Sequence, residues 1–251
     1  MKKIIKKLLN KNNYFHINEI KIKSDYNNFL YGLLLAHKNN LNRTVNIVQV
    51  GANDGIDNDP IHKFIHDYNN QIKLLAIEPQ KVAYDKLRGN LSKYKNIFFC
   101  DKVIGDGREK NFYSLNEKFR IFLKKKDAKI DGVSSLEKDN LVRRIIKHKV
   151  KNPDEYIITK NVKTYLLEQV YSEFNSNFDN IDFLQIDAEG YDDEIIYNSS
   201  LEKRKYKYIN YEFKNFSEAK LKKLHDYLYL NNYKIIRWKK SDELAYKENS
   251  I

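Results

Sequence analysis

The residues able to do chemistry in this chain are carboxylates placed directly after short apolar runs. Glu78 closes Ile72-Lys-Leu-Leu-Ala-Ile, Asp101 closes Ile97-Phe-Phe-Cys, and Glu212 closes Tyr208-Ile-Asn-Tyr. Asp187, with Glu189 two residues on, closes Ile181-Asp-Phe-Leu-Gln-Ile, and Asp54 stands in a loop after Val45-Asn-Ile-Val-Gln-Val, between Gly51 and Gly55. One acid of this kind would be ordinary. Several, all on the edge where open α/β sheets bind ligands, describe a pocket for a cationic ligand rich in hydroxyl groups. Glu78 follows Gly51 at close to the ~20-residue interval at which such folds place an acid on two ribose hydroxyls. Gly51-x-x-x-Gly55 is not the Gly-x-Gly-x-x-Gly of a dinucleotide site, and a carboxylate in that loop suits a positive centre better than a diphosphate.

Other polar residues divide between chemistry and structure. His62 and His66 sit four apart on one helix face, yet no cysteine cluster or third ligand accompanies them, which favours a structural role over zinc. His62 begins the helix beside the glycine loop, within reach of the cleft as a base. His148 lies in the run Arg143-Arg144…Lys147-Lys149, better suited to phosphate than to metal. Ser134 and Ser135 read equally as a helix cap or as ligand contacts, and Tyr191 as a pocket wall or as core.

The elements that must position these residues alternate. Strands are expected at 45–50, 72–78, 97–101, 111–115, 162–166, 181–187 and 208–213, with 233–238 and 243–246 as a closing antiparallel pair. Helices are expected after Asp59-Pro60 (Ile61, Phe64, Ile65), around Val82, Leu87 and Leu91, up to Val170, at Ile195 and Ile196, and over Leu221 to Leu230. This is an α/β chain. Both glycines of the first loop are expected to let the backbone approach a ligand. From 117 to about 160 the pattern turns irregular and basic, as in a lid or binding segment.

Composition narrows the function classes. The 251 residues fit one domain with an insertion, and the formal net charge is +12. Residues 1–43 hold nine Lys or Arg against two acids and 117–151 twelve against five, so the remainder is close to neutral. Such appendages suit phosphate groups or an anionic membrane face; the bland alternative is a solvated lysine-rich surface. The division is a basic helical extension over 1–43, with an amphipathic stripe at Ile4, Ile5, Leu8 and Leu9, and a domain over 44–251. No apolar run approaches the ~20 residues of a membrane span, and the start lacks the apolar core of a signal peptide. A single cysteine, Cys100, excludes an intrachain disulfide and points to a reducing compartment, the cytoplasm.

Taken together, Val-Gly-Ala-Asn-Asp-Gly (50–55) with Asn58-Asp59-Pro60, Ile-Glu-Pro (77–79), Gly-Val-Ser-Ser-Leu (132–136) and Val-Lys-Thr (162–164) resemble S-adenosylmethionine-dependent methyltransferases of the FkbM type. Leu-Gln-Ile-Asp-Ala-Glu-Gly-Tyr-Asp (184–192), Ile-Asn-Tyr-Glu (209–212) and Asp-Glu-Leu-Ala (242–245) continue the resemblance in the same order. The resemblance implies a Rossmann-like class I methyltransferase fold, mostly parallel, with an antiparallel last strand and helices on both faces. It implies methylation of a hydroxyl, often on a sugar. By position, Gly51, Asn53 and Asp54 would line the cofactor's methionine part, Glu78 and Pro79 its ribose, and Asp101 and Lys102 its adenine. Asp187, Glu189 and Glu212 would face the transferred methyl, with Asp187 first as base, or the acids would hold a divalent metal ion. Asp59, His62, Ser134, Ser135 and Tyr191 are candidates for the acceptor side. The resemblance is weakest over 117–160 and the N-terminal extension, where an acceptor would be chosen. Charge alone also allows RNA methylation, without any ribonucleoprotein motif, or a non-catalytic adaptor whose basic arms bind a membrane or partner.

Overall fold

The computed structural model describes residues 14–16, 27–124, 133–174 and 178–247. The N-terminal stripe (Ile4 to Leu9) and Gly132 lie outside them. In chain order the main sheet and its helices comprise β1 (Tyr14–His16), α1 (Asn27–Asn39), β2 (Val45–Val50), α2 (His62–Tyr68), β3 (Ile72–Ile77), α3 (Lys81–Leu91) and β4 (Ile97–Cys100). The chain then passes through β5 (Val103–Ile104), β6 (Glu109–Leu115), α4 (Glu117–Lys124), β7 (Ser134–Ser135), α5 (Lys138–Ile146) and β8 (Ile157–Tyr165). It returns through α6 (Leu167–Ser172), β9 (Phe183–Ile186), α7 (Asp192–Tyr197), β10 (Tyr208–Glu212), α8 (Glu218–Leu230), β11 (Lys234–Arg237) and β12 (Asp242–Tyr246).

Eight strands form the main sheet in the order β1-β11-β12-β10-β9-β2-β3-β4. β12 alone runs against the others, being antiparallel to both β10 and β11. The closing pair is therefore not an outer hairpin: β12 wedges between β10 and β11. This is a Rossmann-like α/β sheet whose order reverses between β2 and β9, and a cleft opens there at the carboxyl ends of the strands. The runs are apolar on both faces because both are covered. Leu30, Leu34, Phe64, Ile65, Leu87 and Leu91 bury one face, while Leu167, Val170, Ile195, Leu224 and Leu228 bury the other. In α3 the inward positions are Ala83, Leu87 and Leu91, whereas Val82 points out at 51% exposure.

At the opposite end of the sheet Asp182 ties α1 to the strands. It accepts from His37 Nε2 at 3.0 Å, from Arg43 Nη1 and Nη2 at 2.7 and 2.8 Å, and from the Asn46 N–H at 2.8 Å. Burial works against the charge of Asp182, but these donors prevail and hold its pKa down at about 2.

The segment expected to be irregular is built, over its described residues, mainly of regular elements. β6 and β8 pair antiparallel from Glu109↔Lys163 to Leu115↔Ile157, and β5 and β7 extend them to four strands. Leu115, Phe119, Leu123, Val133, Leu141 and Ile145 make a small core of its own. The two helices here are sharply amphipathic but only eight and nine residues long, too short for their apolar stripes to stand out among the charged residues around them.

Candidate active site

The cleft, with a volume of about 390 Å³, is built on backbone proximity between the first loop and the end of β9. The Gly51 and Ala52 N–H groups donate to the Ile77 carbonyl at 2.9 and 3.0 Å, and the Asp187 N–H donates to the Val50 carbonyl at 3.0 Å. Gly51 has φ +77°, and a Cβ there would stand 2.0 Å from the Asp187 carbonyl oxygen. Only glycine fits. Gly55 differs from expectation, because its missing side chain makes room for Leu87 and Leu91 of α3, not for a ligand.

Glu78 is 3% exposed at the end of β3. Its two oxygens accept from the Asn53 and Gln80 N–H groups at 2.9 and 2.8 Å. Burial raises its pKa to about 7, against the pull of those two donors. Each oxygen keeps a further lone pair for a hydroxyl donor.

Across the cleft, Asp187, Ala188, Glu189 and Gly190 form the turn between β9 and α7. Asp192, fully buried, accepts from the Ala188, Gly190 and Glu212 N–H groups at 3.2, 3.3 and 3.0 Å and so joins the turn to β10. Burial, and after it the Glu212 charge, pushes Asp192 to about 8. The Asp187 carboxyl is also held well above its ordinary range, by the depth of the site and by Glu212, Glu189 and Asp192. Its side chain nevertheless meets the solvent of the cleft, so the neighbouring charges weigh more in this than loss of water. Glu212 is buried, and burial raises it against Lys214, whose Nζ lies 2.5 Å from Oε1. Its Oε2 is a buried atom with no hydrogen-bond partner among the described residues. A carboxyl whose pKa is raised in this way is, once ionised, a stronger base than an ordinary carboxylate.

The insertion is fastened to this turn. Ser135 Oγ and Asn140 Nδ2 both donate to the Glu189 carbonyl, at 3.0 and 2.6 Å, and Arg144 Nη1 meets Glu189 Oε1 at 2.5 Å. A Cβ on Gly190 would stand 1.9 Å from Asn140 Nδ2. On the Glu78 side of the cleft, Gln80 Nε2 donates to the Val133 carbonyl at 2.9 Å.

Of the residues expected from sequence, Gly51, Asn53, Glu78, Pro79, Lys102, Asp59, Ser134, Ser135, Tyr191, Asp187, Glu189 and Glu212 line one cleft. Asp54, Asp101 and His62 do not. Asp54 Oδ1 accepts from the Ile56 and Asp57 N–H groups within its own loop. Asp101 is exposed beyond β4, and the His62 ring donates from Nδ1 to the Gly55 carbonyl at 2.7 Å. Ser135, 2% exposed, is a fastening residue as placed. Asp59 lines the wall while accepting from the Ile61 and His62 N–H groups ahead of α2. Sequence reasoning missed Asn140, Phe112, Lys214 and Lys239, and reached Arg144 only as part of a basic run suited to phosphate; Lys214 and Lys239 lie close to the Glu212 and Asp242 motifs, which was the available signal. Among the described residues no group of three or more His, Cys, Asp or Glu is arranged to hold a metal ion.

The family described as Methyltransferase FkbM domain matches residues 49–235. No curated protein matches the sequence. Among solved structures the chain is similar to a precorrin-6y C5,15-methyltransferase from Geobacter metallireducens GS-15, at 12% identity over 87% of this chain and 88% of that one, with a TM-score of 0.41. It is similar also to a ribosomal protein L11 methylase from Lactobacillus delbrueckii subsp. bulgaricus, at 14% identity over 86% and 77%, with a TM-score of 0.38. A SAM-dependent methyltransferase from Agrobacterium tumefaciens gives 8% identity over 88% and 62%, with a TM-score of 0.37.

Proposed function

The chain belongs to the FkbM family of S-adenosylmethionine-dependent methyltransferases, and from that premise we propose that it methylates a sugar hydroxyl in the cytoplasm. The acceptor in this reading is a nucleotide-activated sugar or a growing surface glycan, of a capsule or lipopolysaccharide. One observation carries it: the glycine loop, the buried acid of β3 and the acids of β9 and β10 share one cleft.

The residues present fit the cofactor. Gly51 lets the first loop close directly onto the Asp187 backbone at the wall of the cleft, and Glu78 presents lone pairs where a ribose diol would donate. Lys102, Val103 and Phe112 line the end of the cleft beyond β4, where the adenine would rest. S-adenosylmethionine supplies a methyl group that is already electrophilic on its sulfonium. The protein's part is therefore to align an oxygen with that methyl and to take the hydroxyl proton. Asp187 holds the position for the proton transfer, with Glu189 and Glu212 beside it. Tyr191, 7% exposed, walls the acceptor side.

Calorimetry with S-adenosylmethionine on wild type and on Glu78→Ala tests the cofactor half of the proposal; micromolar binding, lost in the variant, is expected. A panel of nucleotide-linked and free sugars then tests the acceptor half. Binding without methylation of any sugar would overturn that half.

A further inference from the structure

The acceptor end of the cleft is not acidic throughout. Arg144, Lys214 and Lys239 line it together with Glu189, Glu212 and Asp242. Each cation is tied to one acid: Arg144 to Glu189 at 2.5 Å, Lys214 to Glu212 at 2.5 Å and Lys239 to Asp242 at 3.4 Å. The pairs adjoin, since Lys214 lies in the field of Glu189 and Glu212 in that of Asp242. The three cationic side chains keep 32, 42 and 41% of their surface exposed. Glu189 occupies a single N–H of the Arg144 fork, which carries five donors. Each cation thus offers a second anion an open face, while the single acid it meets is only 21, 8 or 12% exposed. A phosphate, by contrast, offers several anionic oxygens to an Arg fork and two ammonium groups at once.

We infer that Arg144, Lys214 and Lys239 form an exchangeable clamp for a phosphate group on the acceptor, and that drawing Arg144 onto the phosphate frees the Glu189 carboxylate for the reacting hydroxyl. The two effects are one event. A phosphate approaching with the pairs intact would meet three carboxylates; once it takes the cations, the carboxylates turn to the hydroxyl and the sulfonium side. Arg144 comes from the insertion and Lys214 and Lys239 from the main sheet, so the clamp closes across the cleft. This rests on the methyltransferase reading and adds to it the acceptor's phosphate and the residues that select it.

The test is calorimetry of inorganic pyrophosphate against the full chain saturated with S-adenosylhomocysteine, with inorganic phosphate as a parallel arm. Wild type should bind pyrophosphate, and Arg144→Ala should weaken that binding about tenfold or more. Lys222→Ala, at an exposed lysine on α8 paired only with Asp226, should leave it unchanged. Glu189→Gln should tighten it, because Arg144 then has no charge to leave; a purely structural Arg144 would give no such gain. A preference for pyrophosphate over phosphate marks a nucleotide diphosphate as the source, and equal binding marks a phosphomonoester. If Arg144→Ala fails to fold, Lys214→Ala and Lys239→Ala carry the same expectation. Absence of pyrophosphate binding, or equal weakening by Lys222→Ala, overturns the clamp. Failure of S-adenosylhomocysteine to bind would instead strike the methyltransferase reading, and the titration of cofactor-free protein would still decide the clamp.

Discussion

The buried carboxyl of Glu78 makes cofactor affinity depend on pH in a range where most acids are already ionised. Burial lifts its pKa from 4.5 to about 7, and its ionised form is the better acceptor for two ribose hydroxyls. The ionised fraction rises from about one tenth near pH 6 to about nine tenths near pH 8, so affinity should rise about tenfold, or ~1.3 kcal/mol, over that window. Glu78→Gln should flatten this dependence. It should also weaken binding at high pH, because the amide offers the ribose hydroxyls one uncharged acceptor oxygen in place of two charged ones, and it should cost the fold ~1–3 kcal/mol, because the Asn53 and Gln80 N–H groups then have one acceptor between them. Calorimetry of S-adenosylhomocysteine on both proteins reads the difference, and the ligand's own titration cancels between them. The fold itself should respond in the opposite sense. A carboxyl whose folded pKa is raised stabilises the protein below its unfolded value and gives that up as pH rises through about 7. The melting temperature of ligand-free protein should therefore decline across this window more steeply in wild type than in Glu78→Gln. Equal pH dependence of binding in the two proteins would refute the reasoning.

Three further perturbations probe other parts of the molecule. Asp187→Asn should lower turnover by ~10²–10⁴ while S-adenosylhomocysteine still binds, as read by single-turnover kinetics beside calorimetry; unchanged turnover would pass the base role to Glu189 or Glu212. Gly51→Ala sets a Cβ against the Asp187 carbonyl at φ +77°, and should cost at least ~1–2 kcal/mol of stability and abolish cofactor binding. Glu243 is fully buried and accepts from Tyr211 at 2.7 Å, His225 at 2.6 Å and Arg237 at 2.9 and 2.6 Å. Glu243→Ala should then destabilise the protein by ~3–5 kcal/mol in denaturant unfolding, since Arg237 loses its counter-charge.

The alternation of strand and helix is legible in the sequence because β2, β3, β4, β9 and β10 are short apolar runs closed by glycine or an acid, and both faces of the sheet are covered. The acids of β3, β9 and β10 fall in the cleft because strand polarity alone puts residues 78, 187 and 212 on the same edge. Asp54 and Asp101 obey the same spacing and miss it. The direction of a loop side chain is set by local hydrogen bonds, and the neighbouring N–H groups of Ile56 and Asp57 capture Asp54. What Arg144 and Asn140 touch is illegible in the sequence for another reason. They arrive at Glu189 from about fifty residues away, through pairing of β6 with β8 that no local pattern announces. Ser135 was singled out, but its bond to the Glu189 carbonyl depends on the same long-range register.

The wedged position of β12 imposes an order in time on synthesis. Residues 45–104, which hold the glycine loop, Glu78 and the strands beside them, leave the ribosome well before β9 and β10 and can pair among themselves. β10 must then wait with one edge open, because its neighbour on that side, β12, is made only after β11. Lys239 and Asp242 arrive with that strand. The half of the cleft that would grip a cofactor is thus assembled well before the half that would choose what to methylate, and a nascent chain holds the first without the second.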